Sequence, residues 1–253
     1  MGRRARAVTI VASVLVVGAS REVSADWALT AFLGGSHTRD SSLTLTRPSA
    51  ATDVTLARVR YDGASFEAPP YYGYRLAFFP CSSWFGIEGE LIHLKVIADT
   101  SRMTSVEGIV QGDRVNGEQP IASLIQRFSI THGVNLVLVN AVARRPLRWR
   151  TNDDRPSTLV VGRLGLGGSV PHPESAIDGI AYEGYEWGAL SMQAAAGVER
   201  RLAGPLYVVA EYKLSRSVQR VTIAGGWART PLVTHHLVGG LVAYLGPHSR
   251  RTE

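Results

Sequence analysis

The stretch that decides the fold runs from Tyr71 to Val96 and reads YYGYRLAFFPCSSWFGIEGELIHLKV. On either side of Pro80, every second residue belongs to an apolar series, whereas most residues between them are charged or small. This period of two is typical of β-strands. The apolar series consists of Tyr72, Tyr74, Leu76 and Phe78, followed by Phe85, Ile87, Gly89 and Leu91. The pattern predicts two strands, whose apolar side meets either a protein core or lipid.

Similar alternation recurs along the chain and predicts eight strands. We expect them at Asp26–Thr38, Tyr71–Pro80, Trp84–Ile97, Gly133–Arg144, Thr158–Val170, Glu186–Leu202, Leu206–Val221 and Leu232–Leu245. Most are long enough for a tilted strand to cross a bilayer, which takes about 9–11 residues. Long connections follow the odd-numbered strands, and the others are short except for residues 145–157. This asymmetry is typical of outer-membrane barrels. Two alternating pieces in the first long connection, Ser42–Thr46 and Val54–Tyr61, predict a hairpin above the membrane.

The residues between the apolar positions decide which face meets lipid. In the seventh strand they include Glu211 and Lys213, and in the fifth they are mostly glycine. Small residues make room where eight strands close on a narrow interior. A soluble carrier barrel should show the opposite arrangement, with an apolar interior and a polar outside. The sequence therefore favours an all-β fold, an eight-stranded antiparallel up-and-down transmembrane β-barrel, over the soluble alternative.

Charged residues on the inward face should pair inside this barrel. The expected network contains Arg75, Glu88, Glu90, Arg163, Glu199, Glu211 and Lys213. An interior filled in this way excludes a wide pore. In the fourth strand, Asn135 and Asn140 fall on opposite phases, so either a bulge lies between them or one of them is at a rim.

The two ends of the chain differ from the barrel. Basic residues at Arg3, Arg4 and Arg6 precede an apolar run, and Val23-Ser24-Ala25 resembles a cleavage site. We therefore expect a signal peptide at residues 1–25, the barrel at 26–246 and a polar tail at 247–253. Residues 1–25 hold four arginines and one glutamate, so their removal lowers the formal net charge from +6 to +3.

Export and composition limit the partners. An exported chain with this modest charge is not expected to bind nucleic acid. We expect contact with the lipopolysaccharide or lipid A of the outer membrane, insertion by the barrel assembly machinery, and a monomeric state. The single cysteine, Cys81, cannot form a disulfide within the chain. No stretch after residue 25 has 18 consecutive apolar residues, which argues against membrane-spanning helices.

The histidines are the candidates for chemistry. Under the predicted topology, six of the seven lie at the extracellular rim: His37, His93, His132, His172, His235 and His236. Imidazoles gathered at one end of a barrel can bind a divalent transition metal. The competing interpretation is that rims are polar and tolerate histidine. The sequence contains no compact metal motif that would decide between the two.

Several segments resemble proteobacterial outer-membrane barrels described as lipid A oxidase-like. The first is GASFEAPPYYGYR at residues 63–75, followed by HLKV at 93–96, with Ala98-Asp99, and THGVNL at 131–136. The others are VPHPE at 170–174 and the less specific EYK at 211–213. The resemblance implies oxygen-dependent conversion of the proximal glucosamine of lipid A to 2-aminogluconate.

The resemblance also implies a site at the rim. His93, His132, His172 and Glu174 would be catalytic, with a divalent transition metal on the three histidines and Glu174 as a further ligand or base. Lys95 would hold a lipid A phosphate, and Asn135 would contact the substrate. The alternative function is a non-enzymatic barrel of the OmpA-like or opacity type, which presents surface loops.

Overall fold

The computed structural model describes residues 26–80, 83–148 and 155–246. The expected signal peptide, the polar tail with His248, Cys81 and residues 149–154 of the connection at 145–157 lie outside the described residues. The strands of the described part are β1 Asp26–Thr38, β2 Ser41–Arg47, β3 Thr52–Val59, β4 Tyr61–Asp62, β5 Tyr72–Phe79, β6 Phe85–His93, β7 Val96–Ala98, β8 Met103–Val110, β9 Asp113–Pro120, β10 Arg127–Ile130, β11 Leu136–Arg148, β12 Thr158–Ser169, β13 Glu174–Ile177, β14 Ile180–Glu183, β15 Ser191–Ala203, β16 Leu206–Ile223 and β17 Gly226–Leu245.

Eight of these strands close into a barrel. Their order is β1-β5-β6-β11-β12-β15-β16-β17, and β17 pairs with β1 to complete the ring. Every neighbouring pair is antiparallel. Closure leaves no free edge along the membrane-spanning part. The predicted fold class is confirmed, and the eight strands are those expected from the alternating pattern.

The barrel is apolar outside and polar inside. In β5, Tyr74 and Leu76 are half exposed on the outside, and Arg75 between them is fully buried. The same alternation gives an outward belt that includes Leu29, Leu33, Ile87, Leu91, Val137, Val139, Leu164, Leu166, Met192, Leu237 and Leu241. An exposed apolar belt around a polar interior is the surface of a transmembrane barrel.

No helix within the described ranges is long and apolar enough to cross a membrane.

The seven residues expected in a lumen network lie together inside the barrel. Nε of Arg75 donates to Glu90 at 2.8 Å, and Nε of Arg163 donates to Glu88 at 2.9 Å. Both guanidinium groups also donate to Glu211. Glu90 is the cross-strand partner of Arg75, whereas the contacts with Glu211 cross the interior from β5 and β12 to β16, so the interior is occupied by side chains.

The rest of the network fills the remaining space. Lys213 donates to Glu90. Nδ2 of Asn140 lies 2.8 Å from an oxygen of Glu88 and 2.8 Å from an oxygen of Glu90. Glu199 lies at one side, where Nη2 of Arg163 is 3.7 Å away and the Tyr244 hydroxyl donates to it at 2.6 Å. Buried charges with several partners of this kind satisfy one another.

Two sheets extend above the membrane. The β2–β3 hairpin pairs with the upper part of β17 and is extended by β8 and β9; this is the hairpin expected in the first long connection. A second sheet has the order β14-β13-β10-β7-β4. One hydrophobic core contains fully buried residues from both sheets, among them Leu43, Leu56, Val106 and Phe128. The extracellular part is therefore an ordered body of its own.

The structure corrects three details of the predicted connections. The second long connection contains β8, β9 and β10, and the third contains β13 and β14, which the alternating pattern did not predict. These strands lie above the lipid, so they have no outward apolar belt that would mark them in the sequence. Residues 222–231, expected as a loop, belong mostly to the β16–β17 hairpin, which turns at Ala224-Gly225. Asn135 lies at the rim with φ +46°, whereas Asn140 faces inward. The register between them is regular, so the rim interpretation holds and there is no bulge.

Candidate metal centre at the extracellular rim

Two short connections bring the site together. One leads from β10 through Thr131 and His132 into β11, and the other leads from β12 through His172 into β13. Backbone hydrogen bonds join them, from His172 N to Gly133 O at 3.2 Å and from Val170 N to Asn135 O at 3.0 Å. Pairing of β10 with β13 places Ser129 opposite Glu174. The two connections therefore form one unit at the top of the β11–β12 hairpin.

His132, His172 and Glu174 form a group that fits a metal ion. One ligand atom from each of the three lies within 4.8 Å of the other two. Nδ1 of His132 is 3.1 Å from Oε1 of Glu174, and Nδ1 of His172 is 4.0 Å from the same oxygen. Ligands of a bound transition metal, at about 2.0–2.2 Å from it, lie roughly 3 Å apart. Small side-chain rotations are enough to close the group.

Glu174 is fixed in its position. Its side chain is only 8% exposed, and its carboxylate accepts hydrogen bonds from Thr131 and Arg127. Burial raises the pKa of Glu174, but the Thr131 hydrogen bond and the charge of Arg127, with His132, outweigh burial and lower the pKa below its ordinary value. The carboxylate is therefore held in its ionised form, the form in which it ligates metals.

The two histidines differ in their surroundings. His172 is 12% exposed, and its ring packs edge-on against His132 and Tyr185 at centroid distances of 4.6 and 4.4 Å. Nδ1 of His172 is buried and has no hydrogen-bond partner within the described residues. His132 is 57% exposed, so the group is open to solvent on its side. A buried ring nitrogen without a hydrogen-bond partner, beside an ionised carboxylate, suits a metal ligand.

The donor set also indicates which metal chemistry suits it. Two imidazoles and one carboxylate with open positions are the ligands typical of non-haem Fe(II) oxygenases. The same nitrogen and oxygen donors also accept other divalent transition metals. A histidine binds such an ion through the lone pair of a neutral ring nitrogen.

His93 lies beside this group and not in it. The amide nitrogen of Asn135 donates to the carbonyl oxygens of His132, Gly133 and Val170. The amide oxygen of Asn135 therefore accepts a hydrogen bond, at 2.9 Å, from the N–H at Nδ1 of His93. Of the three histidines predicted to bind a metal, the structure brings His132 and His172 together with Glu174, and a metal on all three histidines stays a prediction. His93 ends β6 and lies on the other side of Asn135.

Asn135 thus connects His93 with the metal group. Nε2 of His93 is buried without a hydrogen-bond partner in the described part of the chain, and its ring stacks on Tyr72 at 4.9 Å. The backbone of Gly133, at φ +97°, passes so close that a Cβ atom there would lie 2.4 Å from Nδ1 of His93. Only glycine fits between the two histidine-bearing segments.

Lys95 has a structural role. Its side chain is buried at 6% exposure, and Nζ donates to the carbonyl oxygens of Glu67 at 3.2 Å and Ala68 at 3.1 Å. These two contacts anchor the connection before β5. A contact of Lys95 with a lipid A phosphate stays a prediction.

The other rim histidines do not join the group. His37 and His235 are neighbours in the β1–β17 register on the outer surface. His236 faces inward, where the Tyr71 hydroxyl and the Ser215 hydroxyl lie 3.0 and 2.8 Å from its two ring nitrogens. Sequence reasoning missed Arg127, Thr131 and Tyr185, since their roles depend on the β10–β13 pairing, which no local pattern indicated.

Comparisons with known proteins add only overall similarity. No protein-family profile and no curated protein matches the chain. The outer membrane protein OprG from Pseudomonas aeruginosa is 10% identical over 89% of this chain and 98% of that one, with a TM-score of 0.49. AlkL, an outer membrane protein solved in lipid bilayers, is 10% identical over 95% and 99%, with a TM-score of 0.39. Neisserial surface protein A is 8% identical over 87% and 97%, with a TM-score of 0.36.

These similarities carry no property of those proteins to this chain. Its location follows from its own surface. A closed antiparallel barrel with short turns at one end, long connections at the other and an outward apolar belt is the architecture of the outer membrane. The chain is a small outer-membrane β-barrel with a candidate metal site at its extracellular rim.

Proposed function

We propose that this outer-membrane barrel is a metal-dependent enzyme that oxidises lipid A at the extracellular rim. The observation that carries the proposal is the group of His132, His172 and Glu174, whose ligand atoms lie within 4.8 Å of one another. The resemblance to lipid A oxidase-like barrels, which includes the segments that contain all three residues, supplies the substrate and the oxidant.

The location of the group suits a lipid substrate. It lies above β11 and β12, whose outward residues Val137, Leu166 and their neighbours face the membrane. The polar head of an outer-leaflet lipid beside this wall meets the open side of His132. Arg127 donates to Glu174, yet 59% of its side chain is exposed. Its guanidinium group can therefore also contact an anionic substituent of the lipid.

The proposed reaction is a two-electron oxidation. The anomeric carbon of the proximal glucosamine carries a free hydroxyl in the substrate. The sugar loses two electrons and two protons at this carbon to dioxygen, which becomes hydrogen peroxide. The resulting lactone takes up water and opens to 2-aminogluconate, so the lipid gains one oxygen. His132, His172 and Glu174 would hold the metal, and the metal would supply the electron exchange with dioxygen.

The residues of the chain orient this chemistry. Thr131 and Arg127 hold the Glu174 carboxylate, and Asn135 fixes the turn that carries His132. Tyr185 packs edge-on against the His172 ring and supports its position. Such outer contacts set the orientation of metal ligands and the access of water.

The experiment is mass spectrometry of lipid A from cells with and without the gene, grown with and without air. We expect one added oxygen on the proximal sugar, only with the gene and only with air. The matched variant is His172→Ala, with His37→Ala as control for a rim histidine outside the group. Unchanged lipid A, with folded protein in the outer membrane, refutes the oxidase proposal.

A second candidate is a loop-presenting barrel without enzymatic activity. The extracellular body favours it, because its own hydrophobic core, including Leu43, Val106 and Phe128, holds the surface connections in one arrangement. Unmodified lipid A together with loss of a cell-surface phenotype on deletion of residues 103–120, the β8–β9 hairpin, would support this function.

A further inference from the structure

The outer surface of β1, β17 and β16 carries a second candidate site, on the wall opposite the metal group. The β17–β1 seam and the β11–β12 seam are four positions apart in a ring of eight strands. On this wall, Leu33 and Leu241 belong to the lipid-facing belt. Above the level at which His37 pairs with His235, the outward positions become basic. They include Arg39, Arg216, Arg220 and Arg229.

An apolar groove lies directly below these arginines. Its volume is about 730 Å³, and its lining includes Gly35, Ala210, Gly239, Tyr212, Leu237 and Phe66. The floor is made of small residues, and a Cβ atom at Gly239 would meet nothing nearer than 3.9 Å. Phe66, almost fully exposed, forms one side. The groove is continuous with the belt that faces the outer leaflet, so it is placed to take an acyl chain.

Two cations lie at the upper end of the groove. The backbone N–H of Arg39 donates to the carbonyl of Val233 at 2.9 Å, and Arg216 is the register partner of Val233 on the other side. Arg39, just after the end of β1, and Arg216, on β16, therefore lie on the two sides of Val233 in β17. Nε of Arg39 donates to Nε2 of His235 at 2.9 Å, which fixes the direction of its guanidinium group.

A second pair of cations follows higher on the same face. Arg220 and Arg229 are direct cross-strand partners, and both are exposed. Like charges directly opposite each other in an antiparallel pair destabilise it. Within the described residues, no carboxylate forms an ion pair with any of the four arginines, and the nearby Glu186 is engaged by Thr222. Arg220 is held in place over the ring of Trp227 at 4.9 Å. An anion between the two guanidinium groups removes the repulsion.

We propose that this wall is a docking site for one lipopolysaccharide molecule of the outer leaflet. One acyl chain lies in the groove, a phosphate of the glucosamine pair lies between Arg39 and Arg216, and anionic groups of the sugar core contact Arg220 and Arg229. Arginine binds phosphate through paired N–H donors, and basic clusters beside a bilayer recognise anionic headgroups. The combination of acyl groove and two tiers of cations fits a phosphorylated glycolipid better than a glycerophospholipid, which has a single headgroup phosphate.

This proposal does not depend on the proposed oxidase. The site lies on the opposite wall, and it requires neither a metal nor an intact lipid A sugar. A barrel without oxidase activity can still hold the lipid here, and an active oxidase can lack this site.

The test is native mass spectrometry of the folded full-length protein in detergent, with lipopolysaccharide, dephosphorylated lipopolysaccharide and phosphatidylglycerol as probes. The quadruple variant R39Q/R216Q/R220Q/R229Q removes the cations, and R102Q/R114Q, exposed arginines outside this wall, is the control. We expect at least about a tenfold loss of bound lipopolysaccharide in the quadruple variant, since a charge-assisted contact contributes that much. The control should bind like the unaltered protein.

The groove has its own pair of variants. Gly239→Leu fills it, and Gly89→Leu, at an outward position of β6 with nothing within 4 Å of an added Cβ atom, is the matched control. Lower lipopolysaccharide binding by Gly239→Leu alone supports the acyl site. Unchanged binding by the quadruple variant overturns the proposal, as does equal binding of dephosphorylated lipopolysaccharide or of phosphatidylglycerol.

Discussion

His132 and Glu174 lie 42 positions apart in the chain, yet Nδ1 of the histidine is 3.1 Å from Oε1 of the carboxylate. The contact joins two connections of the barrel that are separate in sequence and are held together by the pairing of β10 with β13 and by backbone hydrogen bonds between them. His172 enters the same group from the second connection. The arrangement makes metal binding a property that single substitutions can test.

The first prediction concerns metal binding by the group. His172→Ala and Glu174→Gln should each lower the affinity of the full-length protein for Fe(II) or another divalent transition metal by more than about tenfold, because each removes one of three ligands. Isothermal titration in detergent measures the affinity. His37→Ala should bind as tightly as the unaltered protein. Equal affinity in all variants would show that the ion, if bound, lies elsewhere.

The second prediction concerns the residue that holds the carboxylate. Thr131→Val keeps the shape of the side chain and removes the hydroxyl that donates to Glu174. Loss of a contact of this kind to a metal ligand lowers affinity or activity about 10–100-fold. Thr131→Ser should retain most of both, since serine keeps the hydroxyl. A Val variant equal to the unaltered protein would remove Thr131 from the site.

The barrel was predictable from the sequence because lipid imposes a simple rule on each strand. Every second residue faces hydrocarbon, so the apolar series from Tyr72 to Phe78 and the charged or small residues between them mark two faces. The same rule predicts the charges in the interior. Arg75 and Glu211 alternate with lipid-facing residues, so their side chains point into the barrel. The rule does not fix where a strand ends above the membrane. β16 and β17 therefore continue beyond their predicted ends, to Ile223 and from Gly226.

The extracellular body and the metal group were only partly predictable. Outside the membrane, β8 and β9 lose the strict alternation, so the connections carried no comparable pattern. His132, His172 and Glu174 could be named, but their selection over His93 depends on the turn that Asn135 holds. The role of Lys95 was hidden for the same reason, since its partners are the carbonyl oxygens of Glu67 and Ala68.

The third prediction concerns the turn that carries His132. Asn135→Ala removes four hydrogen-bonded contacts of the amide and places alanine at φ +46°. Asn135→Gly removes the same contacts but suits this backbone conformation. Both variants should lose activity toward lipid A at least about tenfold if the turn orients His132. The alanine variant should also unfold at lower denaturant concentration than the glycine variant.

The comparison of the two variants separates orientation from stability. If glycine restores both activity and stability, the amide contacts are not needed and only the backbone conformation matters. If both variants are as active as the unaltered protein, Asn135 has no part in positioning the site. Mass spectrometry of lipid A and urea unfolding give the two measurements.

The last prediction concerns the charges inside the barrel. Glu211 accepts hydrogen bonds from both Arg75 and Arg163, and Lys213 lies 3.6 Å away, so this one carboxylate contacts three buried cations. Glu211→Gln removes the charge that all three contact, and leaves Arg75, Arg163 and Lys213 each with one carboxylate partner fewer. Removal of one partner from a buried ion pair destabilises a protein by about 3–5 kcal/mol. Glu199→Gln should cost less, because its contact with Arg163 is long at 3.7 Å and glutamine can still accept from Tyr244.

Urea unfolding of the refolded barrel, followed by its mobility shift on cold electrophoresis, measures the difference. Glu107→Gln on β8 is the control, because this glutamate is exposed above the membrane. The expected order of destabilisation is Glu211→Gln, then Glu199→Gln, then Glu107→Gln, which should differ little from the unaltered protein. Equal stability of the Glu211 and Glu107 variants would mean that the remaining carboxylates of Glu88, Glu90 and Glu199 are enough to balance Arg75, Arg163 and Lys213.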